Sequence, residues 1–361
     1  TSTALAMRAL HRMGAKYVSY LVPNRFDYGY GLTTGIVNEA LKLNPDLIVT
    51  VDNGISSLDG VALARENGVD VLVTDHHLQG ETLPDANVIL NPNQQGDEFE
   101  SKALAGVGVV FYLLIALRKQ LRQLGWFEEN KINEPNLAEY LDIVALGTVA
   151  DVVPLDKNNR ILVKEGLRRI RAGQCVKGIT ALLEASGREP TQIIASDLGF
   201  AIGPRLNAAG RLDDMSVGIE CLLADSDTAY QLAHQLDSLN RDRREIETDM
   251  KMEALQALEQ MQLSADSIFG LAMYDESWHQ GVIGILASRI KDKIHRPVII
   301  FAPGDDGEIK GSARSIKGIH IRDVLEAIST AHPGMIKKFG GHAMAAGMTI
   351  DAGNFEKFKH Q

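Results

Sequence analysis

The sequence predicts an α/β chain: a parallel-sheet domain with a large helical insert, a long connector helix, and a smaller α/β domain at the end. Three observations predict it. Apolar β-branched runs alternate with helical segments early in the chain. A stretch from Ala103 to Asp225 then carries mainly helical periodicity. After Leu263 the alternation of strand and helix returns.

Taken in order, Lys16 to Val22 (KYVSYLV) reads as a strand and Thr34 to Leu43 as a helix. Asp46 to Asp52 (DLIVTVD) reads as a buried strand, Ser57 to Asn67 as a helix, Val69 to Asp75 (VDVLVTD) as a strand, and Asn87 to Leu90 as a short one. Strands of this kind separated by helices imply a parallel sheet covered on both faces. Gly106 to Leu117 is too short an apolar run for a membrane span, and its continuation Arg118-Lys119 marks a core helix. Breaks near Gly125, Pro154, Gly173 and Gly187 divide the helical insert.

Ser226 to Met261 is polar, periodic and nearly free of breakers, which suits a connector between domains. Beyond it, Ile268 to Tyr274, Pro297 to Phe301, Ile309 to Ser315 and Ala346 to Ile350 read as strands. Val282 to Ile294 and Ile321 to Ser329 read as helices, and Gly340-Gly341-His342 as a glycine turn. The expected division is 1–225, 226–261 and 262–361.

Composition narrows the function. The chain has 361 residues, 45% apolar and 23% charged, which is ordinary globular usage for two domains. Cys175 and Cys221 form neither a disulfide framework nor a metal spacing, so a reducing cytoplasm is expected and no membrane. The net charge of −10 argues against a protein that coats nucleic acid. An acidic site loaded with divalent cations can still hold phosphate, because the ions reverse the local sign.

Asp52 ends one expected strand and Asp75 the next, and ligands gather at the carboxyl ends of parallel strands. Neighbouring strands lie about 4.8 Å apart, so the two carboxylates can face one volume. His76 and His77 follow at once. Asp151 follows the apolar run Ile143 to Ala150, precedes Val152-Val153-Pro154, and wants a partner. Singly, each has a plainer reading: Asp52-Asn53-Gly54 as a turn, Asp75 and Asp151 as caps, the histidines as solvated. Together they suggest carboxylate and imidazole ligands for Mn²⁺, Mg²⁺ or Zn²⁺, in a two-metal arrangement.

Val51-Asp52-Asn53-Gly54, Thr74-Asp75-His76-His77 and Gly147-Thr148-Val149-Ala150-Asp151 resemble, in order, motifs of the DHH phosphoesterase family. Asn24-Arg25, Tyr28-Gly29-Tyr30-Gly31-Leu32 and Gly203 to Arg211 (GPRLNAAGR) resemble its single-strand exonuclease branch. His279 to Gly284 (HQGVIG), Ser312-Ala313-Arg314 and Gly340-Gly341-His342 resemble the associated DHHA1 domain. The resemblance implies 5′-to-3′ hydrolysis of single-stranded DNA with Mn²⁺ or Mg²⁺, in repair and recombination. It implies single-stranded DNA, a single-strand-binding protein and repair helicases as partners. It implies Asp52 as the carboxylate bridging the metals, His76 and Asp151 as ligands, and Asp75 and His77 as residues that orient ligands or meet the scissile phosphate.

Phosphate-binding candidates follow. Arg205, Asn207 and Arg211 lie among small residues that let a phosphate approach, and arginine offers a matching fork of donors. Ser312 and Arg314 share one side of an expected strand. His279 precedes a helix N-terminus, His342 adjoins the glycines, and Arg25, Tyr28 and Tyr30 suit a terminal nucleotide. The basic run Arg160, Lys164, Arg168, Arg169 and Arg171 reads as a solvated helix face.

The rivals are a phosphodiesterase of the same family acting on short oligoribonucleotides or cyclic dinucleotides, and a non-catalytic DNA-binding scaffold. The family's first motif, an Asp-x-Asp pair, would fall before Thr1, so the chain reads as N-terminally truncated and is expected to hold metal poorly and to be nearly inactive alone. Isothermal titration with Mn²⁺ checks this: weak binding is expected, and two tight sites would overturn it.

Overall fold

The computed structural model describes residues 1–22, 31–212, 214–260 and 269–361. The chain divides into two units, Thr1–Asn240 and Arg241–Gln361.

In the first unit, α1 (Ser2–Arg12) and α2 (Thr34–Leu41) precede a sheet of β1 (Leu47–Val51), β2 (Asp70–Thr74) and β3 (Val88–Leu90), with α3 (Leu58–Glu66) between β1 and β2. The order is β1-β2-β3 and both pairings are parallel. Val71 and Val73 face one side and pack with Ile36 and Val37 of α2 and Val61 and Ala64 of α3. That period-two burial fixes the register, because a slip of one residue would turn the valines to solvent.

The expected strand over Lys16–Val22 does not form: residues 16–22 join no ladder, and Tyr17 is 100% exposed. The Tyr20 hydroxyl donates to the Glu220 carboxylate instead. Apolar, β-branched sequence measures fit to a pleated surface, and no such partner is met there.

Helices fill the rest of this unit: α4 (Gly106–Gln123), the short α5 (Trp126–Glu129), α6 (Leu141–Ala150), α7 (Lys157–Arg171), α8 (Lys177–Ala185), the single turn α9 (Ala195–Asp197), α10 (Gly203–Leu212) and α11 (Ser216–Leu223). A π-helical turn, Leu198–Ile202, runs straight into α10. Burial is continuous from Asp142 to Thr148, so α6 is the central helix of the unit. Its neighbour α7 shows a one-sided stripe, Leu162, Val163, Gly166, Leu167 and Ile170, with the basic residues Arg160, Lys164, Arg168 and Arg171 exposed. Gly166 lets the two helices touch, since a methyl carbon there would lie 2.2 Å from the Leu141 carbonyl oxygen.

The long helix α12 (Ser226–Gln260) spans 35 residues, about 52 Å. The division between units falls inside it. Ala233 and Leu236 belong to the first core, Met250 and Ala254 to a core of the second. The second unit holds β4 (Leu271–Tyr274), α13 (Ile283–Ile294), β5 (Val298–Pro303), β6 (Glu308–Arg314), α14 (Ile321–Ala331), β7 (Lys338–Gly341), β8 (Ala345–Asp351) and α15 (Phe355–Lys359). Its sheet runs β4-β5-β6-β8-β7, with β4 and β5 parallel and the other pairs antiparallel. Ile300 faces α13, while its neighbour Phe301 faces α14 and α15. Gly340 and Gly341, read as a turn, close strand β7 and pair with Gly347 and Ala346. Among the described residues no helix is long and apolar enough to cross a membrane.

One buried ion pair joins α10 to α12. Arg205 (8% exposed) places Nη2 2.7 Å and Nε 2.9 Å from Asp237 Oδ1, and Asp237 is 3% exposed. Its Nη1 donates to the Ala201 carbonyl at 2.7 Å. Removing one partner strands the other charge in the interior. Asp237→Ala is therefore expected to cost roughly 3–5 kcal/mol in urea unfolding, and Arg205→Met/Asp237→Leu together much less. A loss for Asp237→Ala below about 1 kcal/mol would rule out a structural pair.

Candidate metal centre

Parallel pairing sets Val51 opposite Thr74, so Asp52 and Asp75 are the next residues beyond the ladder on adjacent strands. The Asp52 amide still donates to the Thr74 carbonyl (3.0 Å) and the Asp75 amide to that of Leu90 (3.1 Å). At Asp52 the chain then turns into the left-handed region, φ 65°. That conformation is costly for a residue with a Cβ and is held only where neighbours determine it. Here they do: Asn53 Nδ2 donates to the Val51 carbonyl at 2.9 Å, and Thr50 Oγ1 donates to the Asn53 carbonyl at 2.7 Å. The Asp52-Asn53-Gly54 turn and the aimed carboxylate are one feature. Gly106, at the start of α4, makes the space, since a methyl carbon there would sit 2.3 Å from Asp52 Oδ1.

Asp75 is 1% exposed and does not face the cluster as a ligand. Its Oδ1 accepts from the amides of His76 (2.7 Å) and His77 (3.2 Å) and lies 2.7 Å from His77 Nδ1. Its Oδ2 accepts from the Ile55 amide at 3.0 Å. Burial is the largest influence on this carboxyl and pushes it up, but His77 and the amides together hold it below the ordinary aspartate range. The same hydrogen bond raises His77 above the ordinary histidine value.

His76 Nε2 is buried, 3.1 Å from Asp52 Oδ1 and 3.4 Å from Asp151 Oδ2, with no well-aligned hydrogen bond among the described residues. Burial pulls His76 down, yet the carboxylates of Asp52, Asp151 and Asp75 outweigh it and leave the group raised. Asp151 is raised, first by burial and then by the neighbouring Asp52 charge. It stands at the C-terminal cap of α6, so the third acid comes from a helix end. Ligand atoms of Asp52, His76 and His77 fall within 4.8 Å of one another. A buried imidazole nitrogen aimed between two carboxylates is a donor set that a divalent cation completes, and oxygen with imidazole admits Mn²⁺, Mg²⁺ or Zn²⁺.

Sequence reasoning missed two asparagines. Asn91 Nδ2 donates to the His77 carbonyl (2.8 Å) and Asn93 Nδ2 to that of His76 (2.5 Å), clamping the histidine pair from behind. Both stand just past the carboxyl end of β3, so the strand-end rule that found Asp52 and Asp75 would have found them.

The other candidates are placed unevenly. Arg205 lies within the helix packing, its guanidinium held by Asp237, and it is not displayed for phosphate. Asn207 is exposed and Arg211 half-buried, one turn apart on α10, which starts against Ala150 beside Asp151. Arg25, Tyr28 and Tyr30 lie outside the described residues. In the second unit, Arg314 Nη1 donates to Ser312 Oγ at 3.0 Å, and both side chains lie over Gly284 in the first turn of α13. His279, just ahead of that helix, accepts from the Gly281 amide at 3.0 Å. The exposed His342 starts the turn into β8, whose Ala345 pairs with Arg314. These four therefore gather at one end of the second sheet.

Comparison with known proteins bears on this geometry. The model of the DHH family, N-terminal domain, matches residues 1–148, and that of the DHHA1 domain matches residues 266–361. The single-stranded-DNA-specific exonuclease RecJ of Dickeya dadantii is 61% identical over the whole of this chain, which spans 63% of that protein's length. A crystal structure of exonuclease RecJ bound to manganese superposes with a TM-score of 0.81 at 36% identity, covering 99% of this chain and 84% of that one. RecJ of Thermus thermophilus in complex with Mg²⁺ gives 0.62 at 30% identity, covering 99% of this chain and 55% of that one.

Two outcomes test the centre. Gly106→Ala is expected to displace Asp52 and weaken Mn²⁺ binding while circular dichroism stays unchanged. A cation needs His76 neutral. Because His76 is raised, Mn²⁺ affinity should fall as pH drops through a value above the ordinary histidine range and level off at higher pH. Affinity that stays flat from about pH 6 to about pH 9 would remove His76 from the ligand set.

Proposed function

The chain belongs to the RecJ family of DHH phosphoesterases, with a DHHA1 domain, and from that premise we propose that it is the catalytic core of a metal-dependent single-stranded-DNA exonuclease. The reaction is 5′-to-3′ hydrolysis of phosphodiester bonds in repair and recombination, in the cytoplasm. The observation that carries this reading is the buried His76 nitrogen set between Asp52 and Asp151. These three residues would hold Mn²⁺ or Mg²⁺. Cations bound there supply an acidified water and neutralise charge on the phosphoryl oxygens.

The chain's own residues do the rest. Asp75 holds His77 by Nδ1, which leaves Nε2 to face the scissile phosphate. Asn207 and Arg211 bind the strand beside Asp151. Arg205 acts by fixing α10 rather than by touching DNA. Ser312, Arg314, His279 and His342 bind a phosphate of the strand with the N-terminus of α13. In this reading 1–225 is the nuclease domain, 226–261 the connector and 262–361 the nucleic-acid-binding domain, and the division of the chain into two units within α12 supports it. A single-strand-binding protein and repair helicases are the partners this role calls for.

The test uses the full-length protein with Mn²⁺ on long single-stranded DNA, duplex DNA and dinucleotides. Cutting of the single strand alone is expected, with loss of roughly a thousandfold or more in Asp52→Ala at unchanged melting temperature. Undiminished cutting by Asp52→Ala removes that residue from the mechanism, and a preference for dinucleotides sinks the polymer assignment.

A further inference from the structure

A cavity of about 830 Å³ opens in the first unit at the end of α1 opposite the metal centre. Thr1, close to Asp52, is the N-cap of α1, whose 11 residues run from Ser2 to Arg12. Its two ends are therefore about 16 Å apart. No residue of the metal centre lines the cavity. Arg8 and Arg12 of α1, Arg169 of α7 and Lys177 at the start of α8 do, against the acids Glu139 and Asp225.

Four permanent cations stand against the lining acids Glu139 and Asp225 and the buried Asp142 behind them, which feels Arg8 and Arg169, and this leaves a local excess of one positive charge in a chain whose net charge is −10. Two of these cations are displayed rather than consumed by the fold. Arg12 and Lys177 are exposed and have no ion pair among the described residues. Arg169 donates from Nη2 to the Gln174 carbonyl at 3.0 Å, while its Nε is buried with no hydrogen-bond partner. Arg8 is held in place by the carbonyls of Leu222 (2.9 Å) and Leu223 (3.0 Å). At the start of α8 the buried Asp142 carboxylate accepts from the Val176 amide at 2.7 Å. A cation at the C-terminus of α1 is favoured by the helix dipole alone. That does not account for Arg169 and Lys177, which three-dimensional packing brings from other elements.

We propose that this cavity is a second anion site, separate from the catalytic centre, that binds a phosphate-bearing molecule of nucleotide size. The volume lies in the range of small-molecule sites. The guanidinium groups are matched to phosphate oxygens, and Tyr140 and Leu223 offer an apolar wall for a base. The phosphate can come from a free mononucleotide or from the backbone of a strand, and the test separates them.

The experiment titrates the chain in EDTA, so that no cation holds phosphate at the metal centre. The probes are dAMP, inorganic phosphate and a short single-stranded oligonucleotide, read by calorimetry and by rise in melting temperature. Saturable binding of dAMP is expected in an Arg314→Ala background, which removes the second-unit phosphate contact, weakened roughly tenfold or more by Arg12→Glu/Lys177→Glu and unchanged by Lys164→Glu on the exposed face of α7. The reversed residues are exposed, so the fold should survive, and the unliganded melting temperature checks that it does. Binding of the oligonucleotide but not dAMP, weakened by the same double reversal, assigns the phosphate to a strand and sustains the site. No saturable binding of any probe, or binding indifferent to the double reversal, overturns it.

Discussion

The geometry of the metal centre depends on one buried carboxylate that is not itself displayed to a cation. Asp75 lies in the interior, where burial alone would drive it to the neutral acid and loosen its hydrogen bonds. It stays charged because the amides of Ile55, His76 and His77 and the His77 ring all point at it. Those bonds fix the backbone of the two histidines, and the bond to Nδ1 sets the His77 tautomer. The turn after β1, the residues after β2 and the imidazole pair thus share a single anchor. Asn91 and Asn93 close the arrangement from the β3 side through the carbonyls of the same two histidines.

Asp151 reaches the site from a different support. Helix α6 is apolar on every side and buried along most of its length, so its position is set by packing rather than by the sheet. Gly166 lets α7 press against it, and Gly106 lets α4 approach Asp52. The sheet carries Asp52 and His76 while the helical core carries Asp151. Their separation is then determined by two tightly packed bodies of one unit, and close-packed interiors yield little to small perturbations. That rigidity suits a site whose groups repel one another until a cation arrives.

Much of this was legible in the sequence because strand ends are legible. Apolar β-branched runs located β1 and β2, and the rule that ligands collect at carboxyl ends singled out Asp52 and Asp75. The apolar run before Asp151 marked an acid needing a partner, but a continuous apolar run does not distinguish a buried helix from a buried strand. KYVSYLV failed for the complementary reason: its residues suit a sheet, and residues 16–22 join no ladder. Arg205 was read as a phosphate ligand from its residue type and its small neighbours. Its partner Asp237 lies 32 residues away on another helix, and no local pattern announces such a pair.

The misreading of Arg205 bears on how an acidic protein handles phosphate. An arginine serves recognition only while its fork is free to leave the fold. Arg205 makes three hydrogen bonds within the helix packing, so its charge is already balanced and it stiffens α10. The exposed face of that helix, at Asn207, gains from the stiffness, since a donor that is already ordered gives up less entropy when it binds. Arg314 is the opposite case. It is half-buried, bonded only to Ser312 and a neighbouring carbonyl among its described contacts, and burial lowers its pKa because its charge lacks a counterion. A desolvated guanidinium without an acid is stabilised by whatever anion can reach it. With a net charge of −10 spread over the molecule, attraction for a nucleotide backbone has to come from such local, uncompensated cations and from bound metal, not from the overall field.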